Sequence, residues 1–213
     1  MKSNNMRRRR VAVLLQLWQN FDRSILRGIS AYVQERAEWS VFVAEVEHQR
    51  IPDIEAWGAD GLIVNFDNQE VAEQVNQLDL PMVGVGGGAG WYDPASGIPY
   101  IKTDGALIGR WAAEHLLNCG LRNFAFCGYP KSRTNQWMKD RERGFVERLD
   151  EAGYDCHIFR GRYTSTVRWQ KVLQELSDWP QTLPRPLGIM GGYGYRARHA
   201  LAACRSLRPR APG

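Results

Sequence analysis

Val11-Ala12-Val13-Leu14-Leu15-Gln16-Leu17 is the stretch on which the fold turns. It is an apolar run of strand length, and β-branched valines give it the chemistry of a strand. Behind it come Trp18-Gln19-Asn20-Phe21 and then Asp22, a residue type that caps helices. Ile25, Leu26, Ile29, Tyr32 and Val33 follow at helical spacing, so a helix is expected over 23–38.

The same alternation repeats down the chain. Strand signals fall at 40–45, 61–66 and 82–85, with a short bridge near 54–57 and a helical stretch over 70–78. A loop from Trp91 to Pro99 leads to Tyr100-Ile101-Lys102-Thr103-Asp104, where Asp104 is placed to cap a helix over 106–118 that Gly120 ends. Strands are then expected at 124–129, 156–161 and 187–190, and helices at 135–151, 166–179 and 195–207. Strands alternating with helices predict an α/β fold of parallel sheets with helices on both faces. The expected organisation is a basic tail (1–10), a first lobe (11–103) and a second lobe (104–213). Because the alternation stops after a helix, the second lobe is expected to be incomplete. The apolar face Ala200, Leu201, Ala203 and Leu207 should then lack cover, and the first lobe should suffer less.

Composition excludes several classes. With 213 residues and 44% hydrophobic content the chain can bury a core, yet no apolar run approaches the ~20 residues of a membrane helix. No signal segment precedes the first strand. Cys119, Cys127, Cys156 and Cys204 form no C-x-x-C pair, and the four histidines are scattered, so the expectation is reduced thiols, no metal site and a cytoplasmic location. G-x-S-x-G, H-E-x-x-H and Walker patterns are missing, which predicts a protein that is not an enzyme and needs no cofactor. The net charge of +5 draws on Arg7-Arg8-Arg9-Arg10 and on arginines near the C-terminus, a pattern that favours a solvated end over nucleic-acid binding.

In open parallel sheets, ligands sit beyond the carboxyl ends of the strands. Those loops carry Trp18, Gln19, Asn20, Asp22 and Arg23; then Asn65, Asp67 and Asn68; then Gly86-Gly87-Gly88 with Trp91; and finally Tyr193 and Tyr195. Trp137 and Arg141 lie four residues apart, on one helix face. Carboxylates and amides to bond hydroxyls, a forked guanidinium and aromatic rings for the C–H face suit a polyol. Each also fits a plain structural role: Asp22 and Asp104 as caps, Trp91 and Trp137 as packing, Arg141 as an exposed helix residue. Gly192-Tyr193-Gly194-Tyr195-Arg196-Ala197 matches a dinucleotide turn between strand and helix and keeps open a sugar- or nucleotide-acting enzyme, although no ribose-binding carboxylate follows.

Several stretches carry a resemblance: Phe21-Asp22-Arg23, Trp57-Gly58-Ala59-Asp60-Gly61-Leu62-Ile63 with Phe66-Asp67, Pro81-Met82-Val83-Gly84-Val85-Gly86-Gly87, Trp137 with Arg141, and Arg196-Ala197-Arg198-His199. Over about 10–207 the chain resembles the ligand-sensing domain of the xylose operon regulator (XylR) family, a LacI-type, periplasmic-binding-protein-like sensor joined to an AraC-type DNA-binding domain. The resemblance implies a pentose-like sugar, xylose above all, held between two lobes by Trp18, Gln19, Asp22, Arg23, Asn65, Asp67, Trp137, Arg141 and Tyr193. It also implies DNA contact only through a domain missing from this sequence, and a possible homodimer. Where the family has an aspartate ahead of the Ala-Arg-Ala-Arg-His run, this chain has Gly194-Tyr195, so one hydroxyl acceptor is lost.

Overall fold

Parallel pairing starts at the opening apolar run. Strand β1 (Arg9–Leu15) lies between β2 (Trp39–Glu45) and β3 (Gly61–Asn65), with Val13 opposite both Val43 and Ile63. The computed structural model describes residues 7–17, 19–45, 51–87, 91–130, 136–162 and 169–206. Among these the chain divides into two compact units, Met1–Thr103 and Asp104–Gly213.

Unit 1 holds a five-stranded parallel sheet in the order β2-β1-β3-β4-β5, where β4 is Met82–Gly86 and β5 is Tyr100–Lys102. Its two faces are covered by different helices. Ala12, Leu14, Leu62 and Val64 pack with Ile54 of α2 (Ile54–Trp57) and with Val71, Ala72 and Val75 of α3 (Gln69–Val75). Val11, Val13, Leu15 and Val85 meet Ile25, Leu26 and Ile29 of α1 (Asn20–Arg36). That division follows from the pleat, which sends successive side chains to opposite faces. Tyr100–Lys102 has too few apolar residues to signal a strand on its own; the edge of β4 supplies its pairing, Gly84 opposite Tyr100.

In unit 2 a three-stranded sheet runs β7-β6-β8, from Cys156–Phe159, Asn123–Cys127 and Leu187–Gly191. Helices α4 (Gly105–Asn118) and α5 (Gln136–Asp150) cover Phe124, Phe126 and Met190. On the other face Val172 and Leu176 of α6 (Trp169–Asp178) join Ala200 and Ala203 of α7 (Gly194–Ser206) over Cys127. Asp104 caps α4 by accepting from the Leu107 N–H at 2.9 Å, as its position in the sequence indicated.

Two expectations are corrected. Asp22 does not cap α1: the helix begins at Asn20 behind Gln19, and Asp22 sits in its first turn, buried, because its carboxylate is taken by tertiary partners. Of the final helix's apolar face, Ala200 and Ala203 are covered by α6 while Leu201 is 52% exposed, and Leu207 lies outside the described residues. Unit 1 also carries a hollow of about 950 Å³ bordered by Ile29, Ile63, Leu80, Val83 and Ile101.

Candidate functional site

Each sheet has one place where the chain leaves a central strand toward opposite sides, and the crevice beyond that point is where open α/β sheets bind ligands. In unit 1 it lies between β1 and β3, and in unit 2 between β6 and β8. The candidate residues gather at these two points.

Past β1 and β3 the polar residues form one network. The Asp22 carboxylate accepts from the Gln16 N–H at 2.5 Å and from Asn65 Nδ2 at 2.8 Å to each oxygen. Asn65 Oδ1 in turn accepts from the Asp67 N–H at 2.7 Å, and both Asp67 oxygens accept from the Gly87 N–H at 3.0 and 2.9 Å. The chain Asp22–Asn65–Asp67–Gly87 thus ties the ends of β1, β3 and β4 together, with Asp22 fully buried and Asn65 2% exposed. Gly86, at φ 155°, is needed here, since a Cβ would lie 2.7 Å from Asp67 Oδ1 and 2.6 Å from the Tyr100 hydroxyl. Burial pushes the Asp22 carboxyl above its usual range, and the bonds from Asn65 and Gln16 pull the other way. Around this network Gln19 Nε2 donates to Gln16 Oε1 at 2.6 Å, and Arg23 donates to the Leu17 carbonyl at 2.7 Å and to Asn20 Oδ1. Trp18 lies outside the described residues.

The second cluster is cationic and aromatic. The Arg141 guanidinium stacks over the Trp137 ring, 4.8 Å from its centroid, and donates to the Gly192 carbonyl at 2.8 Å. Tyr193 meets the same tryptophan edge-on at 5.6 Å, and Tyr195 lies 5.7 Å beyond Tyr193. Burial lowers the Arg141 pKa, with Tyr193 partly offsetting it, and Arg141 Nε is buried without a hydrogen-bond partner. A buried donor without a partner carries a desolvation cost.

Trp137, Arg141 and Tyr193 are therefore brought together in unit 2, and Asp22, Asn65 and Asp67 in unit 1, with Gln19 and Arg23 on the rim of the latter. Sequence reasoning missed Arg196, fully buried at 1% exposure with its guanidinium 4.4 Å from the Tyr129 ring. The signal was faint: Arg196 reads as one more basic residue of a charged helix, and only the packing of α7 against β6 turns it inward. Gly192 serves packing, since a Cβ there would stand 2.8 Å from Phe126 and 3.2 Å from Met138. Its carbonyl faces an arginine, which argues against the turn as a phosphate cradle. Among the described residues no cluster of metal-ligand type occurs, and no helix is long and apolar enough to cross a membrane.

Two parallel-sheet units, each with a polar cluster beyond its switch point, give the chain a periplasmic-binding-protein-like fold of LacI type. Residues 113–213 match the model of the periplasmic binding protein-like domain, and residues 10–106 match that of the XylR N-terminal domain. Within that fold the chain is similar to the xylose operon regulatory proteins. It is 34% identical over 202 residues to the xylose operon regulatory protein of Escherichia coli (strain K12), which covers 94% of this chain and 52% of that protein. The structure of the xylose-binding transcription activator XylR superposes with a TM-score of 0.80 at 31% identity, covering 97% of this chain and 52% of the other. A LacI family regulator from Enterococcus faecium with bound ribose shares the fold, with a TM-score of 0.67 at 16% identity over 96% of this chain and 74% of its own. The chain spans about half the length of the curated relatives it matches.

Proposed function

We propose that this chain is the sugar-sensing part of a cytoplasmic transcription regulator, that its ligand is a pentose-like sugar with xylose the first candidate, and that it is not an enzyme. The observation that carries the reading is the Arg141–Trp137–Tyr193 cup, where a buried Nε without a partner lies beside an aromatic ring. A ring for the sugar's C–H face and a forked donor for its oxygens are what a pyranose requires. The relatives that bind xylose and ribose support the sugar class. Sensing works by population shift, the ligand favouring whichever state of the protein binds it more tightly. In this reading sequence-specific DNA contact falls to a separate domain of AraC type, and the regulator acts as a homodimer.

Affinity is expected to be weak, because Gly194 stands where the resembled family carries an acceptor. Calorimetry over pentoses, hexoses and nucleotides tests this. The expected result is heat from pentoses alone, reduced roughly 10- to 100-fold in affinity by Arg141→Ala, the range for a hydrogen bond from a charged donor. Binding of a nucleotide and of no sugar would overturn the reading.

A further inference from the structure

The arginine run is exposed, as expected, but it is also anchored. Arg7 reaches Asp60 at 3.3 Å, while Arg10 donates from its backbone N–H to Asp60 at 2.7 Å and from its guanidinium to the Trp57 carbonyl at 2.7 Å. These bonds fasten the run to unit 1, and β1 already begins at Arg9. Asp60 responds as a carboxylate so surrounded should, its pKa held down by the Arg10 N–H and then by the neighbouring guanidiniums.

Arg7 and Arg10 are thus anchored, and Arg8 and Arg9 are exposed beside them. There they border a hollow of about 630 Å³ that also takes in Arg36 from the last turn of α1, and the rings of Tyr32 and Trp39 form part of its wall, 5.4 Å apart. Arg8, Arg9 and Arg36 form no salt bridge among the described residues. The acidic groups on the wall are Glu38 and Asp60, and Asp60 is already engaged. Three arginines without a salt bridge, from two elements, thus border one concavity with a single disengaged carboxylate, which gives it a positive charge that suits an anion.

We infer that this hollow, at the amino-terminal end of the unit 1 sheet and so at the opposite strand ends from Asp22 and Asp67, is an accessory seat for the phosphate backbone of duplex DNA. Planar, forked guanidiniums suit phosphate oxygens. A concave wall fits the ridge of a sugar-phosphate strand better than a flat anionic membrane surface. The contact carries no sequence preference, because none of its members is placed to read a base edge. The inference rests on the regulator reading, in which DNA lies close to the protein.

Fluorescence anisotropy of an arbitrary-sequence 20-base-pair duplex with the whole chain tests it. Three phosphate contacts at a salt slope of ~0.9 each predict affinity falling about 40-fold between 50 and 200 mM salt. The triple variant Arg8→Ala, Arg9→Ala, Arg36→Ala should lose that binding. Removing three other exposed arginines, Arg27, Arg162 and Arg185, should leave most of it, which separates a seat from net charge. Equal loss in both triple variants, no duplex binding at 50 mM salt, or binding to anionic phospholipid vesicles in place of the duplex would each overturn the inference. Sugar calorimetry on the first variant should be unchanged, so that failure here and failure of the sensor reading are told apart.

Discussion

Replacing Gly144 by alanine is expected to disrupt unit 2, lowering its unfolding midpoint by at least about 10 °C. In an exposed helix the same change stabilises by up to about 1 kcal/mol, because alanine has the better helix propensity. Here the sign reverses. A Cβ at Gly144 would stand 2.0 Å from the Ala106 carbonyl oxygen, and one at Gly109, on the facing helix, 2.1 Å from the Arg141 carbonyl. Both obstacles are backbone, so no side chain can swing aside and α4 must separate from α5. Overpacking costs about 1–3 kcal/mol in ordinary cores, and a collision of two backbones lies at or above that range. The same approach fixes Arg141, whose carbonyl is the atom in contact, so Gly109→Ala should weaken sugar binding as well as stability. Thermal melts followed by circular dichroism provide the check, with Gly28→Ala in α1 as control, since a Cβ there meets nothing within 4 Å. A Gly144→Ala protein that melts with the wild type would show that the helices are not so close.

Asp22→Asn is expected to cost about 2–4 kcal/mol despite its matched shape. Asn65 is fixed in orientation, because its Oδ1 accepts from the Asp67 N–H and its Nδ2 must therefore face residue 22. The new amide keeps one oxygen as acceptor, but its NH2 confronts the Asn65 NH2, leaving buried donors unsatisfied. Chemical denaturation measures the loss, and a double-mutant cycle with Asn65→Asp, which restores a donor–acceptor match, should recover much of it. The pH dependence adds a second signature. The folded pKa of Asp22 is raised above its unfolded value, so the folded state binds the proton more tightly. This group's favourable contribution is present below the unfolded pKa near 3.8 and is lost as pH rises through the folded one. Asp22→Asn should remove that slope. A variant as stable as wild type, with the pH profile unaltered, would mean the carboxylate is not held as described.

Both predictions concern residues whose types were legible and whose roles were not. Asp22 was visible as a polar group after the first strand, yet a helix cap and a buried hub look alike in sequence, because both are an aspartate near a helix start. Gly109 and Gly144 drew no notice, since glycine inside a helical pattern reads only as a weak helix former. Arg8 and Arg9 looked like free ends, because nothing local shows Asp60 and Trp57, 50 and 47 residues away from Arg10, coming to hold the run. The Trp137–Arg141 pair was the easier case: four residues on one helix must share a face, so local spacing sufficed.

By itself the sequence determined the alternation of strands and helices, because that depends on periodicity and capping within ten or so residues, and it determined which strand-end loops carry polar chemistry. Tertiary structure alone decided that Asp22, Asn65 and Asp67 join in one bonded chain, that α4 and α5 touch backbone to backbone, and that Arg196 turns inward over Tyr129. These depend on contacts between residues far apart in the chain, whose geometry is set by how the sheets order their strands and by which helix each face receives.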